Sequence, residues 1–299
     1  MNRLTPRCVI HGMTARQPGA DPDADGMWSP ALARGLIRHD ALRSIRICDG
    51  YTDLLGENAP ARPTLTQRVK QSQTVAAIYA RACRPIMMTA HGRSMSAERE
   101  RAAAALHLVG EQRVLDMACG PGDLTSFIAD KLDGDGFVIG LDNSLRMIER
   151  AVDDNNAARA VYMRAEALSP PFDDGTFDAV CCFALHLVAE PIGVLREMVR
   201  VLAPGGRIAV LTSYGRESVS VRKAIAVGAT ICGVRVFDRT TVPAFFAAAG
   251  LTDIDQQLRG ISQFVTARRP DQGTALDRWL ARTSGRSTER AVVPTVVRN

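Results

Sequence analysis

The most constraining feature of this chain is an apolar segment, residues 113–118, that runs directly into a glycine-rich turn and the predicted start of a helix. Glycine lets the backbone approach a ligand closely, and the exposed N–H groups at a helix start favour an electron-rich group. About 20 residues later, a second predicted strand ends in Asp142, from which a carboxylate can accept hydrogen bonds from both ribose hydroxyls. Together the two segments predict a site for the nucleoside end of a ligand.

The residues at the helix start argue against two classes of nucleotide ligand. A dinucleotide fingerprint requires a third glycine where Thr125 stands, because the helix must pack closely on the strand. A phosphate-binding loop requires a lysine near the helix start, and Asp123 places an acid there instead. The pattern therefore disfavours NAD, FAD and ATP, and favours a ligand with an adenosine end, no phosphate and a cationic centre.

Strand-like and helix-like segments alternate after Gly110. Predicted strands lie near residues 113–118, 136–142, 161–166, 177–184, 206–213, 253–260 and 262–269, with helices near 122–132, 144–154, 190–202 and 239–249. Strands joined by helical crossovers run parallel, so this order predicts a doubly wound α/β fold with helices on both faces of a mainly parallel sheet.

Four motifs occur in an order that resembles the class I S-adenosylmethionine-dependent methyltransferases, and within them the branch that includes quinone and sterol methyltransferases. They are residues 116–122, 140–147, 171–178 and 195–207, and the resemblance covers about residues 113–269. It implies a Rossmann-like, seven-stranded sheet with an antiparallel edge strand and an N-terminal helical cap. It also implies S-adenosylmethionine as the cofactor and methyl transfer to a small, apolar or carboxylate-bearing metabolite.

The resemblance assigns cofactor roles at the ends of the first two strands. Asp116 is expected to reach the methionine ammonium, directly or through water, with capping of the turn as the alternative. Asp142 is expected to bind the ribose. Further expected contacts are close backbone approach at Ala118, Gly120 and Gly122, and contact with the adenine at Asn143 and Met147.

At the third strand the chain departs from the family pattern. Relatives have an acidic residue followed by alanine near the adenine amino group, whereas this chain has Arg164 and Ala165. Arginine cannot accept a hydrogen bond, so either Glu166 replaces the acid or the backbone near Ala165 binds the adenine. The departure also leaves open a second function, a non-catalytic regulator that binds the cofactor.

The fourth strand leads into the expected substrate side. The backbone of Phe183 or Ala184 is a candidate contact for the amino-acid end of the cofactor. His186 is the candidate general base, since it is the one imidazole in this motif region. A structural histidine is the alternative interpretation of His186.

The flanking segments are predicted to be less regular. Residues 1–65 are expected to form an irregular, partly flexible leader, in which residues 47–56 resemble the end of a zinc ribbon found in some ribosomal RNA guanine methyltransferases. Only Cys48 in that stretch could bind zinc, so no metal site is expected. An rRNA methyltransferase is therefore retained as an alternative function, although nucleic acid is not the favoured partner.

Four further segments complete the predicted organisation. Residues 66–110 form the helical cap, where Tyr79 is carried over as a cofactor contact, and residues 111–270 form the methyltransferase domain. Within that domain residues 214–238 are an insert that covers the substrate, and residues 271–299 are a C-terminal helix and disordered tail.

Composition sets the broad class. The chain has 46% hydrophobic residues, a net charge of +5 and seven cysteines without a C-x-x-C pair, which suits reduced thiols. No apolar run is long enough to span a membrane. We therefore expect a cytoplasmic protein with a small-molecule substrate and no membrane span, while the oligomeric state is not specified by the sequence.

Overall fold

The computed structural model describes residues 9–10, 34–56, 95–215 and 235–271. Within these residues five α-helices and one ten-stranded sheet are formed. The helices are α1 (Met95–Leu106), α2 (Asp123–Ala129), α3 (Leu145–Asp154), α4 (Pro191–Val201) and α5 (Thr241–Ala248). The first seven strands are β1 (Val9–Ile10), β2 (Arg46–Cys48), β3 (Tyr51–Asp53), β4 (Arg113–Met117), β5 (Phe137–Asp142), β6 (Ala160–Arg164) and β7 (Phe177–Cys182). The last three are β8 (Leu202–Ser213), β9 (Thr252–Arg259) and β10 (Ser262–Arg268).

The centre of the sheet has the predicted topology. Its order is β1-β2-β3-β6-β5-β4-β7-β8-β10-β9, in which β6, β5, β4, β7 and β8 are parallel neighbours. Strand β10 lies antiparallel between β8 and β9, so the expected antiparallel edge is confirmed. The carboxyl ends of the parallel strands therefore meet along one edge of the sheet, where ligands bind in folds of this kind.

Apolar side chains cover both faces of the central strands. Along β5, Phe137, Ile139 and Leu141 contribute to one buried cluster and Val138 to the other, because neighbouring side chains in a strand point to opposite faces. This two-sided burial explains why the predicted strands are near-continuous apolar runs.

The leader is predicted to be irregular, but in the structure it contributes strands that extend the predicted seven-stranded sheet to ten. Strands β2 and β3 form a hairpin, and β3 runs parallel to β6 with Asp53 opposite Arg164. The turn between them is Asp49-Gly50, and Gly50 has a φ of 82°. Asp-Gly is a strong signal for a two-residue hairpin turn, so the hairpin could have been predicted, although its pairing with β6 could not.

The state of one cysteine also differs from the sequence-based prediction of reduced thiols. Cys48, at the end of β2, is disulfide-bonded, whereas Cys119, Cys181 and Cys182 are free thiols. The expectation of reduced thiols throughout is therefore wrong at Cys48, which lies in the edge hairpin and not in the central strands.

The predicted helices are all present where the structure describes them. The described part of the predicted 66–110 cap contains α1, which ends at Leu106 because His107 takes a positive φ of 51°. The remainder of the cap with Tyr79, most of the 214–238 insert and the C-terminal segment after residue 271 lie outside the described residues. In the described portion of the chain, none of the helices has the length and apolar character needed to cross a membrane.

Candidate active site

The glycine turn after β4 places two glycines in different environments. Gly120 has a φ of 59°, and a Cβ built there would meet no atom within 4 Å. Gly122 has a φ of 83°, and its Cβ would lie 2.6 Å from the Tyr162 hydroxyl and 2.9 Å from Ala151 Cβ. Gly122 is thus required by packing of the turn on β6 and α3, while Gly120 faces open space in which a ligand can approach the backbone.

Asp142 joins this turn to the end of β5. Its Oδ2 accepts a hydrogen bond from the Gly120 N–H at 3.0 Å, and its Oδ1 accepts one from the Ser144 N–H at 2.8 Å. The structure therefore brings together the two segments whose spacing predicted a nucleoside site. A carboxylate has about four lone-pair sites, so Asp142 can hold the turn and also accept hydrogen bonds from ribose hydroxyls.

Asp116 is turned into the core at the end of β4. Its side chain is buried, its Oδ2 accepts a 2.7 Å hydrogen bond from Thr125 Oγ1, and its Oδ1 accepts one from Cys181 Sγ at 3.6 Å. Burial raises the pKa of Asp116 to about 7, the two hydrogen bonds lower it, and the charge of Asp142 raises it. Asp116 therefore contributes a buried acid beneath the turn, and its contact with an ammonium group stays a prediction.

Thr125 has a role that the sequence analysis missed. Its replacement of the third glycine was used only to exclude dinucleotides, yet its hydroxyl is the strongest partner of Asp116. Gly140 makes room for it, because a Cβ at that residue would lie 2.9 Å from Thr125 Oγ1. The signal was present as an acid and a hydroxyl nine residues apart, one ending a strand and the other opening a helix.

The expected adenine side is formed by the ends of β5 and β6. The Asn143 side-chain amide lies 3.4 Å from both Glu166 carboxylate oxygens, and the Ala165 N–H donates to the Asp142 carbonyl at 3.1 Å. Met147, in the first turn of α3, is 41% exposed. Glu166 thus supplies an acidic acceptor beside Asn143, and its contact with adenine remains a proposal.

Arg164 points away from that acceptor and into the leader hairpin. Its Nη1 lies 3.1 Å from Asp53 Oδ2 and 2.8 Å from the Gly56 carbonyl, and both ion-paired side chains are 7% exposed. Its Nε donates to the Asn143 carbonyl at 3.3 Å. The regulator alternative rested in part on Arg164, and these contacts weaken that part because the guanidinium is bound by the leader.

The substrate side begins after β7 with an aromatic pair and a short helical turn. The rings of Phe183 and Phe264 meet edge to face with centroids 5.7 Å apart. His186 lies half-buried in the turn Leu185–Leu187, and its carbonyl accepts a 2.8 Å hydrogen bond from the Arg235 N–H. Arg235 also donates to the Ala189 carbonyl at 2.9 Å, so the second end of the predicted insert is fixed beside His186.

A second concavity lies at the opposite edge of the sheet. This cleft has a volume of about 320 Å³, and its lining includes His107 after α1, Asp178 near the start of β7, Arg207 in β8 and Arg268 at the end of β10. It is therefore separate from the glycine turn. Among the residues that the structure describes, no group of three or more His, Cys, Asp and Glu side chains could hold a metal ion.

Comparison with known proteins agrees with this geometry. Residues 114–206 match the model of a methyltransferase domain. The chain is 38% identical over 118 residues to the demethylmenaquinone methyltransferase of Lactiplantibacillus plantarum, covering 38% of this chain and 50% of that protein. It is 35% identical over 159 residues to the 2-phytyl-1,4-naphtoquinone methyltransferase of Synechococcus elongatus, covering 50% of this chain and 65% of that protein. The match thus spans less than two thirds of either relative.

The fold has solved counterparts as well. The YcgJ protein of Bacillus subtilis superimposes with a TM-score of 0.50 at 18% identity, covering 59% of this chain and 99% of that chain. A likeness at this identity shows the fold alone.

Residues 114–206 therefore match a methyltransferase domain, the class for which the sequence motifs imply S-adenosylmethionine as the cofactor. The open side of Gly120 and the carboxylate of Asp142 fit such a ligand. The curated relatives that this region is similar to are quinone methyltransferases.

Proposed function

We propose that the chain transfers a methyl group from S-adenosylmethionine to a small, apolar or carboxylate-bearing metabolite, with a quinone-like ring as the first candidate. The observation that carries the proposal is the contact between Gly120 and Asp142, which joins an open backbone turn to a ribose-binding acid. The relatives are quinone methyltransferases, which supports this substrate class and gives no support to the rRNA alternative.

The chain's own residues act mainly by positioning. When bound, S-adenosylmethionine supplies an electrophilic methyl group on a positively charged sulfur. Asp142 and the Gly120 turn would hold the nucleoside end of the cofactor at the edge of the sheet where the carboxyl ends of β4 and β7 lie. Because displacement at a methyl group requires a collinear arrangement, holding both reactants in place accounts for most of the rate enhancement.

Aromatic residues support an apolar, planar acceptor. Phe183 follows β7 and Phe264 lies near the start of β10, so their edge-to-face pair stands at the same edge of the sheet as the glycine turn. The guanidinium of Arg101 from α1 lies 5.9 Å from the centre of the Phe264 ring. Such a wall can pack against an aromatic acceptor ring while a cation remains nearby.

His186 is the proposed base for an acceptor that carries a proton. A phenol or enol acceptor must lose its proton as the new bond to the methyl carbon forms, and a half-buried imidazole near the insert can accept it. A carboxylate acceptor is already ionised and needs no base. The loss of activity on replacing His186 with glutamine should therefore depend on the acceptor.

The direct test is an assay of methyl transfer. Purified protein is incubated with methyl-labelled S-adenosylmethionine and, separately, a demethylated naphthoquinone, a fatty acid or total RNA, and label in each acceptor is counted. Label in the quinone or the acid, lost in Asp142→Asn, supports the proposal. Label in RNA alone supports the rRNA alternative, and tight cofactor binding without transfer to any acceptor supports a regulator.

The proposed location is the cytoplasm. The Cys48 disulfide provides a test of this location, because the reducing cytoplasm would convert most copies of Cys48 to the free thiol. Alkylation of the protein in intact cells before lysis measures this. A fully oxidised Cys48 would contradict the proposed location.

A further inference from the structure

We infer that the leader hairpin belongs to the cofactor site, and that Asp53 is a positioning residue that acts on the adenine side through Arg164. The inference rests on the proposed function. It assigns a role in cofactor binding to a residue outside the region that matches the methyltransferase domain.

The hairpin is joined to β6 by its backbone and by a buried ion pair. Strand β3 pairs in parallel with β6, and beyond it the Leu54 N–H donates to the Arg164 carbonyl at 3.0 Å. Tyr51, Thr52 and Asp53 are all buried. The leader segment therefore lies in a fixed register against the end of β6.

Asp53 and Arg164 form a closed network. Asp53 Oδ1 accepts hydrogen bonds from the Leu55 and Gly56 N–H groups at 2.9 and 3.0 Å, and both carboxylate oxygens lie within 3.3 Å of Arg164 Nη1. The Gly56 carbonyl accepts a further bond from the guanidinium. Buried charges of this kind require a partner, so without the Asp53 charge the guanidinium would be driven toward another acceptor or toward water.

The network continues to the candidate adenine side. Arg164 Nε donates to the Asn143 carbonyl, and the Asn143 side-chain amide lies 3.4 Å from the Glu166 carboxylate. Asn143 directly follows Asp142, which holds the glycine turn. Asp53 is thereby connected through Arg164 and Asn143 to the acidic acceptor Glu166. If the Arg164 guanidinium turned toward Glu166, it would form an ion pair with that carboxylate and compete with the ligand for it.

The preference of the site for adenine over other nucleobases should therefore depend on Asp53. An ionised carboxylate only accepts hydrogen bonds, so Glu166 favours a base with an exocyclic amino group over one with a carbonyl at the same position. S-adenosylhomocysteine and S-inosylhomocysteine differ at that group. The ratio of the two affinities therefore measures whether the Glu166 carboxylate accepts a hydrogen bond from the base. A general loss of protein stability would lower both affinities together and leave the ratio unchanged.

The experiment measures both ligands by calorimetry on the full chain, in the wild type, Asp53→Asn, and Asp53→Asn with Arg164→Gln. Asparagine keeps an acceptor for the backbone of Leu55 and Gly56 but removes the charge. We expect Asp53→Asn to weaken S-adenosylhomocysteine binding roughly tenfold and to bring the ratio close to one. The double variant should recover most of the ratio, because no unpaired guanidinium remains.

Ile45→Ala is the matched control, since Ile45 is a buried leader residue that makes none of these contacts. It should lower thermal stability with an unchanged affinity ratio. An unchanged ratio in Asp53→Asn, with the wild type binding normally, would overturn the inference alone. Absence of S-adenosylhomocysteine binding by the wild type would instead overturn the proposed function and the inference with it.

Discussion

Thr125 Oγ1 donates a 2.7 Å hydrogen bond to the buried carboxylate of Asp116, directly beneath the glycine turn. The pair links the end of β4 to the first turn of α2, the two elements between which the turn is held. The site therefore rests on an acid whose pKa is raised by burial and lowered by hydrogen bonds from one hydroxyl and one thiol.

Because its pKa is raised on folding, Asp116 should contribute less to the stability of the protein at neutral pH than at acid pH. The folded-state pKa of about 7 lies above the ordinary value of 3.8, so the contribution is most favourable below pH 4 and is lost as pH rises to 7. By linkage the loss is roughly 4 kcal/mol. Asp116→Asn should gain stability relative to the wild type by about this amount between pH 4 and 8, measured by urea unfolding. Parallel pH profiles for the two proteins would contradict it.

Removing the Thr125 hydroxyl should lower the free energy of unfolding more at a pH where Asp116 is ionised. Thr125→Val deletes a hydrogen bond to a charged group at pH 8, worth about 1.5–3 kcal/mol, but only a neutral one at pH 5, worth about 1 kcal/mol. Thr125→Ser keeps the hydroxyl and is the control. Unfolding free energies at the two pH values provide the test, and an equal cost at both would show that the bond is not to an ionised carboxylate.

Cofactor binding should release protons through Asp116. If the methionine ammonium lies near this acid, its positive charge lowers the pKa, and the site gives up roughly half a proton at pH 7. Calorimetry of S-adenosylhomocysteine in buffers of different ionisation enthalpy measures that number. Binding to the Asp116→Asn variant should release no protons. Identical proton release by the two proteins would show that Asp116 does not contact the ammonium group.

The two glycines of the turn should respond differently to alanine. Gly120→Ala faces open space and costs only about 1–2 kcal/mol of backbone strain, yet it places a methyl group where the ligand approaches. Gly122→Ala adds a clash with Tyr162 to similar strain and should cost about 3 kcal/mol or more. Thermal unfolding and ligand affinity, measured on both variants, separate the two effects. Equal stability losses would contradict the assignment.

Much of the fold could be predicted because the parallel strands are buried on both faces and the turns carry strong signals. The seven strands β4 to β10 and the helices α2 to α5 lie within a few residues of their predicted positions. Asp142 and Gly120 could be paired in advance, since the order of a strand, a glycine turn and a second acidic strand end determines their proximity.

The leader contacts could not be predicted from local pattern. Arg164 was interpreted as a misplaced residue in an acceptor position, because its partner Asp53 lies 111 positions away in the chain. Such a long-range pair leaves no periodicity, and only the parallel register of β3 on β6 brings the charges together. The roles of Tyr79 and His186 stay predictions, the first because it lies outside the described residues.

The central claim is that Gly120 and Asp142 form the nucleoside site of S-adenosylmethionine. Its most direct test is calorimetric titration of S-adenosylhomocysteine into the wild type and Asp142→Asn, with thermal unfolding to confirm that both are folded. We predict micromolar or tighter binding by the wild type, weakened at least roughly tenfold in the variant. Equal affinity in the two folded proteins, or no binding by the wild type, would contradict the claim.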